Sequence, residues 1–396
     1  MSSPDTSRTE ISATALTYVA YASFLPIGIA TVLLGPMLPT LSARWSLNYS
    51  QAGALISVQF VASTLAVALS GVLVARWGFR FAIKTGLAVM AVGVALLLTG
   101  PKEMGIACIA AYGAGLGLAV PAANLVVAEV NPGRRSARLS VLNFCWSMGA
   151  VACPFLLAEA VKRQRVPLFL AVVGAFALLV AIAIAAMPSS IVEPVARTDA
   201  AGKKAASIDW KHGALPSLAA LFFVYVGTET GFGLWVASYA KSLGILTTAM
   251  AVMTPSFFYA SLTVGRWLAP LLLRTVDEVR LAQAGIAIAC GGMAGLMLSG
   301  SLSGVVLSAC IAGLGLSSVY PITISMLSRE FGPAASRVGS VMFTMANLGG
   351  AFMPWLVGVS STQLGTLKAG LAVPLLGGAV MYALYRRNWG PVTVTT

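Results

Sequence analysis

The chain has 396 residues, of which 58% are hydrophobic and only 9% charged, and its mean hydropathy is +0.89. Soluble domains carry about 25% charged residues, so this composition cannot cover a water-facing surface and excludes a soluble globular protein. The formal net charge of +13 would suggest a nucleic-acid partner only in a soluble chain, and we expect none here.

Apolar runs of roughly 20 residues, long enough to cross a bilayer as a helix, follow one another along the chain. Leu168–Ala186, for example, contains no charged residue. The sequence therefore predicts an all-α membrane protein with twelve transmembrane helices, a multi-pass protein in contact with the lipid bilayer. The predicted segments lie near residues 15–39, 51–74, 80–100, 105–130, 138–160, 166–187, 213–240, 248–273, 280–300, 302–328, 337–361 and 366–385.

The basic residues predict which side of the membrane each connection faces. With the N-terminus in the cytoplasm, most of the 25 Lys and Arg residues fall in cytoplasmic connections. This asymmetry follows the positive-inside rule and predicts a plasma (inner) membrane protein with both termini in the cytoplasm. Met1–Glu10 lacks the basic-then-apolar order of a cleaved signal peptide, so we expect the first helix to be retained.

Glycines and prolines repeat at an offset of 200 residues, which indicates two parallel half-bundles around a substrate path. The clearest pairs are Pro121 with Pro321, Gly149 with Gly349 and Pro154 with Pro354. The long polar stretch 188–212 has the composition of a flexible linker. We therefore predict an N-terminal six-helix bundle at 1–187, a cytoplasmic linker at 188–212 and a C-terminal six-helix bundle at 213–396. The repeated residues indicate tight packing with kinks, or helices that rock during transport, and both can hold.

The sequence offers little for catalysis or for metal binding. The five cysteines fall in apolar segments without metal-ligand spacing, and the single histidine, His212, lies in the predicted linker. Walker A, zinc-protease and serine-hydrolase motifs are absent. We expect no enzyme, no metal and no cofactor.

The connection between the second and third predicted helices carries Gly71, Arg76, Gly78 and Arg80 in a distinctive order. With the two six-helix repeats, it resembles the major facilitator superfamily over essentially the whole chain. The superfamily motif reads Gly, three variable residues, Asp-Arg, one variable residue, Gly and two basic residues. Ala75 replaces its Asp, which in the superfamily helps to lock the cytoplasmic side of the outward-open state.

Two further stretches resemble the fucose-permease-like sugar:proton symporters. One is the seventh segment from Tyr225 to Trp235, and the other runs from Pro121 through Asn131 to Asn143. The resemblance implies a secondary active transporter of a small polar solute, a sugar, in symport with protons by alternating access.

Glu229 is the most informative residue, because an acidic side chain in the middle of an apolar segment is costly and usually marks an ion, proton or substrate path. We therefore identify it as the proton-coupling candidate. Tyr225 and Phe232 share its helix face, and Trp235 near the adjoining edge offers a ring face and a donor that suit a sugar. There are two alternatives. Glu229 forms a hydrogen bond with the substrate, or it only contacts a neighbouring helix and serves packing.

Amides within predicted helices can both donate to and accept from sugar hydroxyls. For each of these amides, the alternative to substrate binding is a hydrogen bond that only joins two helices. By the resemblance, the first, fourth, seventh and tenth helices line the cavity, which ranks Asn124 first. The further substrate-binding candidates of this kind are Asn143, Asn347 and Gln59, together with Tyr320 beside Pro321.

Two groups of charges lie nearer the cytoplasmic side. Glu129 precedes a basic loop with Arg134 and Arg135, and we interpret these three as gate or ion-pair residues. Arg266 lies in the inner third of the eighth segment, and we expect its side chain to snorkel to the interface rather than to bind substrate.

The sequence thus favours a monomeric sugar:proton symporter whose partners are a small-molecule substrate and protons. A proton-coupled exporter of drugs or amphipathic metabolites is the alternative within transport. A membrane sensor or an intramembrane enzyme is the alternative outside it.

Overall fold

The structure is a computed structural model that describes residues 4–187, 213–332 and 335–389. Every regular element in these ranges is helical, as the sequence predicts. The first half contains α1 (Pro4–Val32), α2 (Leu34–Trp45), α3 (Tyr49–Ala95), α4 (Lys102–Val130), a 3-10 turn (Pro132–Arg134), α5 (Arg135–Lys162) and α6 (Val166–Ala185). The second contains α7 (Ala214–Gly233), α8 (Val236–Ser242), α9 (Thr248–Leu272), α10 (Glu278–Leu298), α11 (Leu302–Leu316), α12 (Val319–Phe331), α13 (Ala335–Gln363), α14 (Leu367–Gly370) and α15 (Ala372–Trp389).

Ten helical stretches of the described chain are long and apolar enough to cross a membrane. One of them, α3, has 47 residues and covers both the second and the third predicted segments. The eighth predicted segment is α9, whose 25 residues extend over about 37 Å. The described helices therefore account for all twelve predicted segments, and the all-α membrane fold is confirmed.

The structure interrupts several segments that the sequence predicts as single helices. The first segment is divided between α1 and α2, the seventh between α7 and α8, and the tenth between α11 and α12. At the last of these breaks the Ser317 hydroxyl donates to the Leu314 carbonyl oxygen, a bond that competes with the helical ladder. Pro321 then lies in the first turn of α12, where its missing N–H costs nothing.

Gly78 divides α3 into its two membrane spans. Its φ of 83° lies in the left-handed region that other residues rarely adopt, so a glycine is required for the chain to change direction here. The glycine of the loop motif therefore has a conformational role.

The 200-residue repeat is also a repeat of backbone contacts. Gly149 of α5 lies against the Leu25 carbonyl oxygen of α1, and Gly349 of α13 lies against the Phe223 carbonyl oxygen of α7. A side chain at either glycine would hold the two helices apart. Two further glycine pairs repeat in the same way, namely Gly113 against Gln59 with Gly313 against Phe258, and Gly115 against Gly86 with Gly315 against Gly285.

The chain separates into two compact units, Met1–Leu33 with Val58–Lys203 and Leu34–Ser57 with Lys204–Thr396. The segment Leu34–Ser57 packs with the second half of the sequence, where Gly35 lies against the backbone of Leu234. The predicted linker 188–212 lies outside the described residues, and the predicted bundle bounds stay predictions.

We expect Gly349→Ala to destabilise the protein by about 1–3 kcal/mol, because the added methyl group overlaps the Phe223 carbonyl oxygen and separates α13 from α7. Thermal unfolding of the purified protein in detergent measures the effect. Gly291→Ala is the matched control, since a Cβ at Gly291 of α10 meets no atom within 4 Å and alanine favours a helix. Equal unfolding temperatures for the two variants would contradict this packing.

Candidate functional site

An ion pair joins α7 to α9 within the second unit. Arg266 Nη2 lies 3.7 Å from Glu229 Oε1, with 28% of the arginine and 14% of the glutamate side chain exposed. The sequence interpretation of Arg266 as a residue that snorkels to the interface is therefore wrong, because its guanidinium faces Glu229. The pairing follows from electrostatics, since an unpaired charge in an apolar span is costly and each residue neutralises the other.

Two tyrosines complete this cluster. The Tyr225 ring stacks on the Tyr320 ring, with centroids 5.3 Å apart and an interplanar angle of 27°. The buried Tyr225 hydroxyl donates to the Leu316 carbonyl oxygen at 3.3 Å, and it lies within electrostatic range of both Glu229 and Arg266. Tyr225 and Glu229 are four residues apart on α7, so both lie on one face of that helix. Helices α7, α9 and α12 thus meet at two charges and two phenols.

The arginine of this cluster keeps an unused donor. Its Nε is buried and has no hydrogen-bond partner among the described residues. A buried N–H without an acceptor costs free energy. The Glu229–Arg266 contact is also longer than a hydrogen bond. The pair is therefore close enough for charge neutralisation and loose enough to rearrange.

Phe232 and Trp235 do not join this cluster. Both are fully buried. Phe232 packs against Phe258 with ring centroids 5.3 Å apart, and Trp235 Nε1 donates to the Pro354 carbonyl oxygen at 3.0 Å. The donor that suits a sugar is already occupied, so these two side chains contribute to packing in this structure. Their role in substrate binding stays a prediction.

The buried amide of the first unit belongs to a neutral hydrogen-bond network. Gln59 Nε2 donates to the Thr31 carbonyl oxygen at 3.2 Å, and Gln59 Oε1 accepts from the Tyr112 hydroxyl at 3.0 Å. Gln59 is 2% exposed, so both ends of its amide bond neighbouring helices. This arrangement favours the interhelical alternative for Gln59.

The other three amides are more accessible. Asn124 Nδ2 donates to the Val120 carbonyl oxygen, and Asn143 Nδ2 donates to that of Leu139, each at 2.9 Å and one turn earlier in its own helix. Asn143 is exposed, whereas Asn124 and Asn347 are half-buried. Their roles in substrate binding stay predictions.

The loop motif has one well-defined structural contact. Arg80 Nη2 donates to the carbonyl oxygens of Met187 at 2.6 Å and Ile184 at 3.3 Å, where α6 ends. A cation at the carboxyl end of a helix is favourable because the last carbonyl groups have no helical partner. Gly71 and Arg76 are exposed, and no atom approaches the Cβ position of Gly71.

The remaining predicted gate residues lie at helix ends. Arg134 belongs to the 3-10 turn and Arg135 begins α5, and both are exposed. A pair of these arginines with the half-buried Glu129 stays a prediction. In the second unit, Glu278 of α10 accepts from Arg329 at 3.2 Å and from Ser325 at 3.0 Å, both on α12.

An open, shallow cavity of about 420 Å³ on the second unit was missed by the sequence interpretation. It is lined by Ser57, Phe223, Leu348, Ala351, Phe352 and Trp355. Its serine hydroxyl donates to the Ala351 carbonyl oxygen at 2.7 Å, so the wall is effectively apolar. The signal in the sequence was the spacing of Leu348, Phe352 and Trp355 along one face of α13, which is also the spacing of an ordinary packing face.

Comparison with known proteins identifies several similar chains. The family model described as Major Facilitator Superfamily matches residues 20–386. The glucose/galactose transporter of Brucella abortus biovar 1 (strain 9-941) is 24% identical over 368 residues, which cover 86% of this chain and 86% of that protein.

Two solved structures share the fold. The fucose:proton symporter FucP of E. coli has a TM-score of 0.64 at 20% identity, covering 95% of this chain and 99% of that chain. A D-xylose-proton symporter has a TM-score of 0.76 at 16% identity, covering 94% and 97%. At these identities the likeness shows the fold alone.

We expect a double-mutant cycle on Glu229→Gln and Arg266→Gln to give a coupling free energy of at least about 1 kcal/mol. Each single variant leaves one charge unpaired in a partly buried site, whereas the double variant removes both charges. Thermal unfolding in detergent measures the cycle. The control cycle uses Glu278→Gln and Arg329→Gln, because that pair is more exposed and should couple less. Additive effects at Glu229 and Arg266 would contradict the ion pair.

Proposed function

We propose that this chain, which belongs to the major facilitator superfamily, carries a sugar together with protons across the membrane by alternating access. Its relatives are membrane transporters rather than enzymes, and sugar transporters are among them. We propose three further points: that the solute is a sugar, that a proton moves with it, and that the two halves rock during transport.

The observation that carries the proton coupling is the Glu229–Arg266 pair inside the second unit. An arginine stays charged at any physiological pH, whereas a carboxylate can accept a proton. A proton on Glu229 removes the attraction that holds the guanidinium, and the two side chains separate. Protonation is thereby converted into a movement between α7 and α9, which is the coupling that a symporter needs.

The tyrosines give this step a hydrogen-bonding partner in each state. The Tyr225 hydroxyl lies within electrostatic range of both members of the pair, and its proton is donated to the Leu316 carbonyl oxygen. Its oxygen can therefore accept a hydrogen bond, from the guanidinium in one state and from a protonated Glu229 in the other. The stacked ring of Tyr320 keeps the phenol in place. We infer that Arg266 and Tyr225 position Glu229 for proton transfer.

A sugar is supported by the kind of polar groups that remain accessible. Asn124 and Asn347 are half-buried amides within membrane helices, and amides bond sugar hydroxyls as donor and acceptor. The named substrates of similar transporters, glucose and galactose, fucose and D-xylose, are sugars. We propose these two amides and Tyr320 as the first groups to test for sugar binding.

The second candidate function is export of drugs or amphipathic metabolites, and the apolar cavity favours it. Phe223, Phe352 and Trp355 offer ring faces, and the single hydroxyl in the wall is already bonded. Such a wall suits an apolar molecule, and it leaves sugar hydroxyls without partners.

We propose further that the protein is a monomer in the inner membrane with both termini in the cytoplasm. The distribution of Lys and Arg supports this orientation. We propose no nucleic-acid partner.

We expect Glu229→Gln to abolish uphill uptake of D-galactose in proteoliposomes under an inward proton gradient, while exchange across the membrane persists. Glutamine keeps the size and the hydrogen-bonding capacity of the protonated acid, but its amide neither takes up nor releases a proton at physiological pH. Glu103→Gln, at an exposed acid in the first turn of α4, is the matched control and should accumulate sugar normally. Accumulation by Glu229→Gln against a gradient would exclude this residue as the proton carrier.

We expect D-galactose, but not an apolar cation such as ethidium, to raise the unfolding temperature of the purified protein, because a ligand of the native state stabilises it by mass action. Asn124→Ala should weaken the galactose shift, and Phe352→Ala should leave it in place. Stabilisation by ethidium that Phe352→Ala removes, with no shift from any sugar, would support the exporter instead.

A further inference from the structure

A second cavity lies in the first unit, where the second span of α3 begins and α6 ends. It has a volume of about 230 Å³, and neither the ion pair nor the predicted substrate residues belong to it. Its lining combines cations, aromatic rings and small apolar groups, namely Trp77, Arg80, Phe81, Lys84, Ile184 and Ala185.

Two cationic side chains, Lys84 and Arg80, line this cavity. The Lys84 ammonium lies 5.3 Å from the centroid of the Phe81 ring, and Lys84 forms no ion pair with any residue in the described ranges. Arg80 is anchored on the carbonyl oxygens of Ile184 and Met187, which fixes its charge beside the cavity. The lining contains no acidic residue, and Ala75 stands where the loop motif of similar transporters has an Asp.

The aromatic part of the cavity faces outward. Trp77 is 56% exposed, and its ring lies 5.0 Å from that of Phe81. Tryptophan concentrates at the level of lipid headgroups, where its ring contacts chains and its N–H contacts polar groups. An exposed tryptophan beside two cations is the combination expected where a helix meets the lipid headgroups.

We propose that this cavity binds the headgroup of an anionic phospholipid, with Lys84 and Arg80 beside its phosphate and Trp77 against its glycerol and upper acyl chains. A free phosphate ion would meet the two cations but leave the aromatic wall unused. A zwitterionic lipid would bring its own cation to a site that already has two. The positive-inside pattern predicts the cytoplasmic leaflet for this end of α3, and that leaflet carries the anionic lipids.

The test titrates phosphatidylglycerol into detergent micelles that contain the purified full chain and follows its unfolding temperature. We expect a saturable rise with phosphatidylglycerol and none with phosphatidylcholine, inorganic phosphate or glycerol phosphate. Lys84→Gln should weaken the apparent affinity about fivefold, as expected for the loss of one cation near an anionic headgroup. Lys162→Gln, at an exposed lysine that ends α5, is the matched control and should behave as the unmodified protein.

Trp77→Leu provides a second variant for the case in which Lys84→Gln does not fold, since its exposed side chain contributes little to the core. It should also weaken the phosphatidylglycerol effect, through the lost contact with the lipid. The proposal is overturned if each variant that folds responds to phosphatidylglycerol as the unmodified protein does. It is equally overturned if phosphatidylcholine or inorganic phosphate reproduces the shift.

Discussion

A carboxylate within a lipid-spanning helix has to be neutralised, by a proton or by a partner charge, because its solvation in the bilayer is poor. In this protein the partner is Arg266, 3.7 Å from Glu229 across the α7–α9 contact. The arginine cannot lose its own charge. Any change in the protonation of Glu229 must therefore be answered by a movement of the guanidinium or by a new anion. The proposed coupling depends on this one constraint. The stacked rings of Tyr225 and Tyr320 lie beside the pair, and the Nε–H of Arg266 has no acceptor among the described residues.

The two halves use the same packing but different interior chemistry. Gly149 and Gly349 bring equivalent helices into backbone contact, so the frame repeats. In the first unit the buried amide of Gln59 is satisfied by neutral hydrogen bonds. The second unit contains the charged pair. Neutral networks do not change charge during a cycle, so we place the proposed proton step in the second unit.

The repeat and the spans could be predicted from the sequence because hydropathy and glycine spacing are local signals. Glu229 stood out for the same reason. Arg266 was misinterpreted, because its partner lies 37 positions earlier in the chain and a local pattern cannot show which helices meet. Trp235 was predicted from chemistry that suits a sugar, yet its donor bonds the carbonyl oxygen of Pro354, a contact between distant segments. Contacts of this kind depend on which helices pack together, and the spacing of residues along the chain does not predict that.

Proton movement itself is the most direct test of the account. The purified chain would be reconstituted into lightly buffered liposomes with equal pH and clamped voltage on both sides, and a pulse of D-galactose would be added outside. Symport predicts that the external medium becomes alkaline as the sugar enters, in fixed proportion to the sugar taken up. Entry of galactose without a change in external pH would contradict the central claim that Glu229 couples solute to protons.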